Sequence, residues 1–298
     1  MKRQALLLSA FSAAILALPA FADDGASGIL GLRWGKNVFN FEGMPSGPQP
    51  LRNLSRLPNG KANNGRLVGD YHNPILTPAA AAIVKQKGEL AIAGKGFPST
   101  QEQCRVMGPP FANAMQLTFA MLPAAGGNIT IVYDANMNVR RIRMNGTHPA
   151  KHQPSPTGDS VGHWEGDTLV VDTIGVKTEA VTAVDRFGTP QSEAMHVIER
   201  YRLIDGAVAK AQTDKFETTE GTVGGGGRVA GYDPDTNLKG LQLEITMEDP
   251  KVFVTPLTAR VTYRRVNSEW QESVCAENPM EHYPGEWAGL PKADRPDF

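Results

Sequence analysis

The chain has 298 residues, of which 30 are basic and 31 acidic, and its formal net charge is −1. This balance, with no run of basic residues, excludes the electrostatic signature of nucleic-acid binding and selects no other partner. The two cysteines, Cys104 and Cys275, lie far apart and do not form the C-x-x-C pair that is typical of metal or redox sites.

The first 22 residues have the pattern of a secretory signal peptide. A basic start precedes an apolar run at 5–18, and the small residues Ala20-Phe21-Ala22 precede Asp23. Because the apolar run is too short to span a membrane and is followed by acids, we expect cleavage after Ala22 and export to the periplasm or beyond. No later stretch is long and apolar enough to predict a transmembrane segment in the mature chain. In an oxidising compartment, a disulfide between the two cysteines is the expected state.

Residues 23–127 are predicted to form a loop-rich segment that wraps around the rest of the chain. Gly, Pro and Asn are frequent there and no periodicity persists, although a short strand is expected at 38–41. Thr77-Pro78 has the residue types of an N-cap and a first helical position, and good helix formers follow, which predicts a helix over 78–87. A second short helix is expected around 112–121, where Ala, Met and Leu dominate.

From residue 128 the pattern changes to short alternating strands separated by turn residues. The predicted strands cover 129–133, 139–144, 161–164, 168–174, 195–204, 241–247, 259–266 and 270–274. Such a series predicts a mainly β fold, either an antiparallel β-barrel or a sandwich, over 128–277 with a C-terminal tail at 278–298. Residues 213–240, which include a run of four glycines, are expected to form a long irregular insertion.

The alternation also divides side chains between the two faces of the sheet. In one predicted strand, Val197 and Tyr201 share a face with Glu199, whereas His196 and Arg200 lie on the opposite face. Period alone does not decide whether the polar face lines a pocket inside a barrel or lies outside in water.

The densest group of titratable residues is the hairpin Ser160–Thr173, with the sequence S-V-G-H-W-E-G-D-T-L-V-V-D-T. A histidine beside a carboxylate can act as a general acid or base at neutral pH, although a single histidine more often completes an ion pair. The candidate catalytic residues are His163, Glu165, His196, His148 and Asp185. The candidate ligand-binding residues are Arg141, Trp164, Glu193, Glu199 and Arg200.

A metal or cofactor site has a weaker basis in the sequence. The three histidines named above, with Glu165 or Asp185, are of the types that bind zinc, but none of them has the close spacing of zinc motifs. We therefore predict no cofactor and no metal, with a divalent ion as the alternative. The chain contains no G-x-S-x-G elbow, and the run Gly224–Gly227 lacks the preceding strand and following helix of a phosphate loop.

Several motifs resemble a large, essentially uncharacterised family of exported bacterial proteins. They are W-E-G-D-T-L-V-V-D-T within Ser160–Thr173, Val139–Ile142, His148-Pro149, Ser192–Arg202 and Asp249-Pro250. The resemblance spans Gln103 to Glu277 and implies an exported β-rich protein without implying an activity. Two positions depart from the family pattern, since Gln191 stands where members often have His and Leu257 where they tend to have Trp. The predicted architecture also resembles calycin barrels of the lipocalin type, which enclose a small apolar ligand.

These features together predict an exported, single-domain β-barrel that binds a small apolar or aromatic molecule, with the histidines and carboxylates near its mouth. If that cluster is catalytic, we expect cofactor-free acid/base chemistry of the isomerase, lyase or hydratase type. The alternative is a non-catalytic periplasmic ligand-binding protein or an envelope-interaction protein. The expected partner is therefore a small molecule and not a nucleic acid.

Overall fold

The computed structural model describes residues 28–36, 39–63, 66–95, 99–101, 103–135, 138–220 and 231–269. Within these ranges the chain forms a closed β-barrel of nine strands with few short helices, so the predicted mainly β barrel is confirmed. The signal peptide, the strand expected at 270–274 and the C-terminal tail lie outside the described residues.

The strands are β1 (Arg33–Gly35), β2 (Glu42–Gly43), β3 (Phe119–Pro123), β4 (Ile129–Tyr133), β5 (Val139–Met144), β6 (Asp159–Glu165), β7 (Thr168–Ile174), β8 (His196–Ile204), β9 (Gly240–Glu248) and β10 (Leu257–Arg265). The helices are α1 (Pro78–Ile92), α2 (Phe111–Ala114) and α3 (Gly206–Glu220), with one 3-10 turn at Ala125–Gly127. The strands from β4 onwards follow the predicted ones closely, because alternation and turn residues are local signals.

The barrel closes through β1, because Trp34 lies opposite Phe119 of β3 and also opposite Arg265 of β10. From β3 to β10 each strand pairs with the next one in the chain, and β2 adds a short pairing further along β10. One pair departs from the antiparallel prediction, since β5 and β6 are parallel with Arg143 opposite Val161. Parallel neighbours need a long crossover, which the connection 145–158 provides.

Helix α1 begins as predicted but ends later. The Thr77 side chain accepts a hydrogen bond from the backbone N–H of Ala80 at 3.3 Å, which is the expected cap. The predicted end at 87 is wrong, because the helix continues through Gly88. A Cβ at Gly88 would lie 2.8 Å from Val68, so this glycine permits close packing of the helix instead of ending it.

Three other expectations for the local structure differ from what the structure shows. The second helix covers 111–114, and the apolar residues at 119–121 belong to β3 in the barrel wall. A short apolar run has no period that separates a buried strand from a buried helix. The expected irregular insertion begins inside α3, which covers 206–220, whereas 221–230 lie outside the described residues. The strand expected at 38–41 does not form over its described residues 39–41, and very short strands lie on either side of it at 33–35 and 42–43.

The barrel wall has an apolar inner face and a polar outer face. On β8, Val197, Glu199 and Tyr201 are buried, whereas His196 and Arg200 point outwards and are partly exposed. The predicted division of β8 into two faces is therefore confirmed, and the polar face is the outer one. Large buried side chains that include Trp34, Arg140 and Tyr201 fill the interior.

Candidate functional site

A partly open cavity of about 310 Å³ lies among loops next to the barrel, and we call it the loop cavity. Its wall combines the segment before α2, the crossover 145–158 and the loop that follows β7. The lining residues are Thr100, Cys104, Arg105, Val106, Gly108, Pro109, Phe111, Pro156, Val176, Lys177, Glu179, Thr182, Ala183 and Gln191. The accessible surface of this wall is mostly apolar, which is typical of a site that takes up an apolar body.

Backbone contacts hold the three segments of the loop cavity together. The Lys177 N–H donates to the Ser155 carbonyl at 2.8 Å, and the Ser155 N–H donates to the Gly175 carbonyl at 3.1 Å. A Cβ at Gly108 would lie 1.8 Å from the Pro156 carbonyl oxygen, so glycine is required where these two segments meet. The cavity shape therefore depends on contacts between loops that are distant in sequence.

Charged side chains in the lining are concentrated in one group. The Glu179 carboxylate forms ion pairs with Arg105 through one oxygen and with Lys177 through the other. The side chains of Arg105 and Lys177 are about half exposed, and that of Glu179 is about a quarter exposed. The Gln191 side-chain N–H donates to the Lys177 carbonyl at 3.3 Å. The loop cavity thus combines an apolar wall with a group of charges at its partly exposed side.

A second group of titratable residues, the outer histidine cluster, lies on the outer barrel wall. His148 Nε2 and His196 Nε2 lie 3.1 and 2.9 Å from the same Asp172 oxygen. On the other side of each ring, His148 Nδ1 lies 3.2 Å from Asp159 and His196 Nδ1 lies 3.1 Å from Glu248. The structure therefore brings together two of the predicted catalytic residues, although they are far apart in sequence. Asp172 on β7 and Glu248 on β9 occupy outward positions on the two strands that flank β8, which the strand alternation could have indicated.

The contacts of His196 favour a charged imidazole. All four ring nitrogens face carboxylate oxygens, and an ionised carboxylate accepts hydrogen bonds but does not donate them. Burial works against the charge on His196, but hydrogen bonds to Glu248 and Asp172 outweigh burial and raise its pKa above the usual value. The pKa of Asp159 is lowered, because hydrogen bonds from Arg143 and His148 outweigh its partial burial. Every ring nitrogen in the cluster therefore already has a carboxylate partner.

The hairpin residues His163 and Glu165 lie elsewhere on the outer wall. His163 Nε2 lies 3.0 Å from Glu165, and Arg200 donates to the other oxygen of the same carboxylate at 2.5 Å. Hydrogen bonds from Arg200 and His163 lower the pKa of the Glu165 carboxyl. The turn between β6 and β7 is as predicted, with Gly166 at a φ of 61°. Three predicted site residues thus form an exposed group that does not line the loop cavity.

The remaining predicted residues are scattered. Asp185 is buried and accepts from the Phe187 N–H at 2.9 Å and from the Thr189 hydroxyl at 2.6 Å, so it holds a turn, and burial raises its pKa. Arg141 and Glu193 are exposed. Trp164 is half-buried and packs against the core.

Glu199 belongs to a buried polar group that we call the interior network, made of Arg140, Ser160, Thr173, Glu199 and Tyr201. Arg140 is paired with the Glu199 carboxylate and donates to the Ser160 hydroxyl at 3.1 Å and to the Thr173 hydroxyl at 2.8 Å. The Tyr201 hydroxyl donates to Glu199 at 2.6 Å, and burial raises the Tyr201 pKa well above its usual value. These groups satisfy one another inside the packed barrel, which is a structural arrangement.

The sequence did not indicate the residues of the loop cavity. None of the ten predicted catalytic or ligand-binding residues is among its described lining residues. Most of the lining comes from loops without periodicity, such as 99–110 and 175–191, where neither alternation nor motif spacing marks a side chain. Gln191 stood out as a departure from a family pattern, but nothing in the sequence placed it beside Phe111 and Arg105.

Three further expectations concern metals, membranes and cysteines. Across the described ranges, no group of three or more His, Cys, Asp or Glu side chains has the arrangement to hold a metal ion. The helices in the same part of the chain include none that is long and apolar enough to cross a membrane. Cys275 lies outside the described residues, so its disulfide with Cys104 stays a prediction.

Comparison with protein-family models, curated proteins and solved structures finds no match to this chain. The fold and the site nevertheless define a class of protein. It is a closed nine-stranded β-barrel with a packed interior and a partly open, mostly apolar cavity formed by loops beside it.

Proposed function

We propose that the protein is exported and binds a small apolar or aromatic molecule in the loop cavity. The observation that carries the proposal is a cavity of about 310 Å³ with a mostly apolar wall. Small-molecule sites begin at about 300 Å³, and an apolar cavity of roughly 150 Å³ accommodates benzene. The loop cavity therefore suits a molecule with one or two rings. The secretory pattern at the N-terminus supports export.

Binding without catalysis is the better supported alternative. The outer histidine cluster lies on the convex wall of the barrel, and each ring nitrogen of His148 and His196 already faces a carboxylate. A general base needs a ring nitrogen within reach of a substrate proton. Neither histidine lines the loop cavity, so the predicted acid/base residues and the apolar wall do not form a common site.

A titration of the purified mature chain with one- and two-ring aromatics tests this proposal. Isothermal titration calorimetry with naphthalene derivatives should detect a single saturable site. Ala183→Leu places a larger side chain in the lining and should reduce the affinity by about tenfold or more, while Ala207→Leu on the exposed side of α3 should not. If the Ala183→Leu variant binds as tightly as the unmodified chain, the ligand does not occupy the loop cavity.

A further inference from the structure

We propose that the ligand of the loop cavity is an amphipathic anion, with an apolar ring body against the wall and a carboxylate at Arg105 and Lys177. This inference rests on the proposed binding function and specifies its ligand class. The first observation is the balance of charges in the lining. Among the described lining residues, the charged side chains are two cations, Arg105 and Lys177, and one carboxylate, Glu179, so these residues together carry a net positive charge.

The geometry of the ion pairs leaves donors for a second anion. Glu179 uses one oxygen for Arg105 and the other for Lys177, so its own acceptor groups are both engaged. The contact of Arg105 with Glu179 is made by a single guanidinium nitrogen, whereas a guanidinium carries five N–H donors and an ammonium three. A ligand carboxylate can therefore bind both cations while they keep Glu179.

The three side chains differ in how much of their surface is accessible to a ligand. Arg105 and Lys177 are 49 % and 51 % exposed, whereas Glu179 is 26 % exposed. The two positive groups are thus more accessible than the carboxylate. Because charge-assisted hydrogen bonds to a carboxylate are stronger than neutral ones, an anion is favoured there and an ammonium is repelled.

Water and salt limit how large this preference can be. Both cations are half exposed, and each exposed ion pair contributes modestly to affinity. We therefore expect the acid to bind about fivefold more tightly than a neutral molecule of the same shape at low salt. The apolar wall supplies most of the affinity, and the cations select among ligands of similar shape.

Three ligands with the same ring system test the inference. They are 2-naphthoate, 2-naphthalenemethanol and 2-naphthalenemethylammonium, titrated calorimetrically into the mature chain at pH 7 and low salt. The expected order of affinity is acid, alcohol, amine. Arg105→Gln and Lys177→Gln should each reduce the affinity for the acid more than that for the alcohol. Lys210→Gln is the matched control, because Lys210 lies on α3 and pairs with Asp214 away from the cavity lining.

The outcomes separate the two proposals. If the acid and the alcohol bind equally well, the anion inference is wrong while small-molecule binding stands. If the ammonium binds most tightly, Glu179 determines the selectivity and the inference is likewise wrong. If none of the three compounds binds, the proposed function itself fails, and the inference fails with it.

Discussion

Strand β8 places two adjacent charged residues in opposite environments. Glu199 points into the barrel and is fully buried, whereas Arg200 points outwards with its side chain 40 % exposed. Each belongs to an arginine–glutamate pair, with Arg140 as the partner of Glu199 inside and Glu165 as the partner of Arg200 outside. The two faces of one barrel wall thus contain the same pair of residue types, buried on the inner face and exposed to solvent on the outer face.

The difference shows that residue type alone does not fix a role. Inside the barrel, Ser160 and Thr173 complete the hydrogen bonds of Arg140, and Tyr201 adds a further bond to Glu199. A buried charge that loses its partner stays desolvated, so the parts of the interior network depend strongly on one another. Outside, water solvates each partner whether or not the pair forms. We therefore expect the same substitution to have very different effects on the two faces.

The largest expected effect is that of Arg140→Leu. It leaves the Glu199 carboxylate buried without its cation, which should lower the free energy of unfolding by about 3–5 kcal/mol. The matched control is Arg141→Leu, because Arg141 is the next residue on β5 but is exposed, and its effect should stay within about 0.5 kcal/mol. Urea unfolding at pH 7 measures both.

A double substitution tests the cause of that loss. Adding Glu199→Leu to Arg140→Leu removes the uncompensated charge, so part of the lost stability should return. If Arg140→Leu costs no more than Arg141→Leu, the argument from burial is wrong.

The two faces of β8 could be assigned from the sequence because alternation is a local property. Val197, Glu199 and Tyr201 follow one another at period two, and this pattern survives in the structure. Which face is inside depends on closure of the barrel, since β1 pairs with both β3 and β10. Closure depends on contacts between residues distant in sequence, so the residue pattern of a single strand does not reveal it.

The sharing of Asp172 by His148 and His196 could not be predicted for a related reason. It requires the parallel pairing of β5 and β6 and the crossover that carries His148 back to Asp172. The loop cavity is still less accessible to sequence reasoning. Its wall joins Phe111, Pro156 and Val176 from three segments, and none of these segments has a period that assigns its faces.

A substitution at Gly108 tests the loop cavity independently of the two faces of the barrel wall. In Gly108→Ala the new Cβ would lie 1.8 Å from the Pro156 carbonyl oxygen, so the two loops must move apart. We expect a loss of about 1–3 kcal/mol in the free energy of unfolding, together with weaker binding of 2-naphthoate.

The control for this change is Gly47→Ala, where the nearest atom to the new Cβ is 3.3 Å away in a Met44 side chain. Its effect should be within about 0.5 kcal/mol. Calorimetric titration and urea unfolding of both variants check the expectation. Unchanged ligand binding by Gly108→Ala would mean that this loop contact does not shape the site.

The outer histidine cluster should give a smaller, pH-dependent effect. The pKa of His196 is raised in the folded protein, because hydrogen bonds to Glu248 and Asp172 outweigh burial. A raised pKa means that the stabilisation is complete below the unfolded value of about 6.5 and is lost as the pH rises through the folded value. The free energy of unfolding should therefore decrease by up to about 1 kcal/mol as the pH rises from the unfolded pKa of His196 through the folded one.

Unfolding curves of His196→Gln at several pH values test this expectation, since the variant should lack that part of the decrease. The matched control is Glu244→Gln, because Glu244 lies on the same strand as Glu248 but opposite Arg200. If His196→Gln keeps the full decrease, another group is responsible for it.

The smallest effect on stability is expected for the outer pair of Arg200 and Glu165, although its electrostatic effect is measurable. Hydrogen bonds from Arg200 and His163 lower the Glu165 pKa, so Arg200→Gln should raise it towards the usual value of about 4.3 in a carboxyl titration followed by NMR. By linkage, any stabilisation by this carboxylate is present above the unfolded pKa and is lost as the pH falls through the folded one.

Solvent and salt screen the exposed pair, so Arg200→Gln should leave urea unfolding at pH 7 unchanged, in contrast to Arg140→Leu. A Debye length of about 3 Å at 1 M salt should also remove much of the difference in the Glu165 pKa between the unmodified chain and the variant. A loss of stability comparable to that of Arg140→Leu would mean that an ion pair contributes equally on the two faces of the barrel wall. Burial would then not explain the importance of the inner pair.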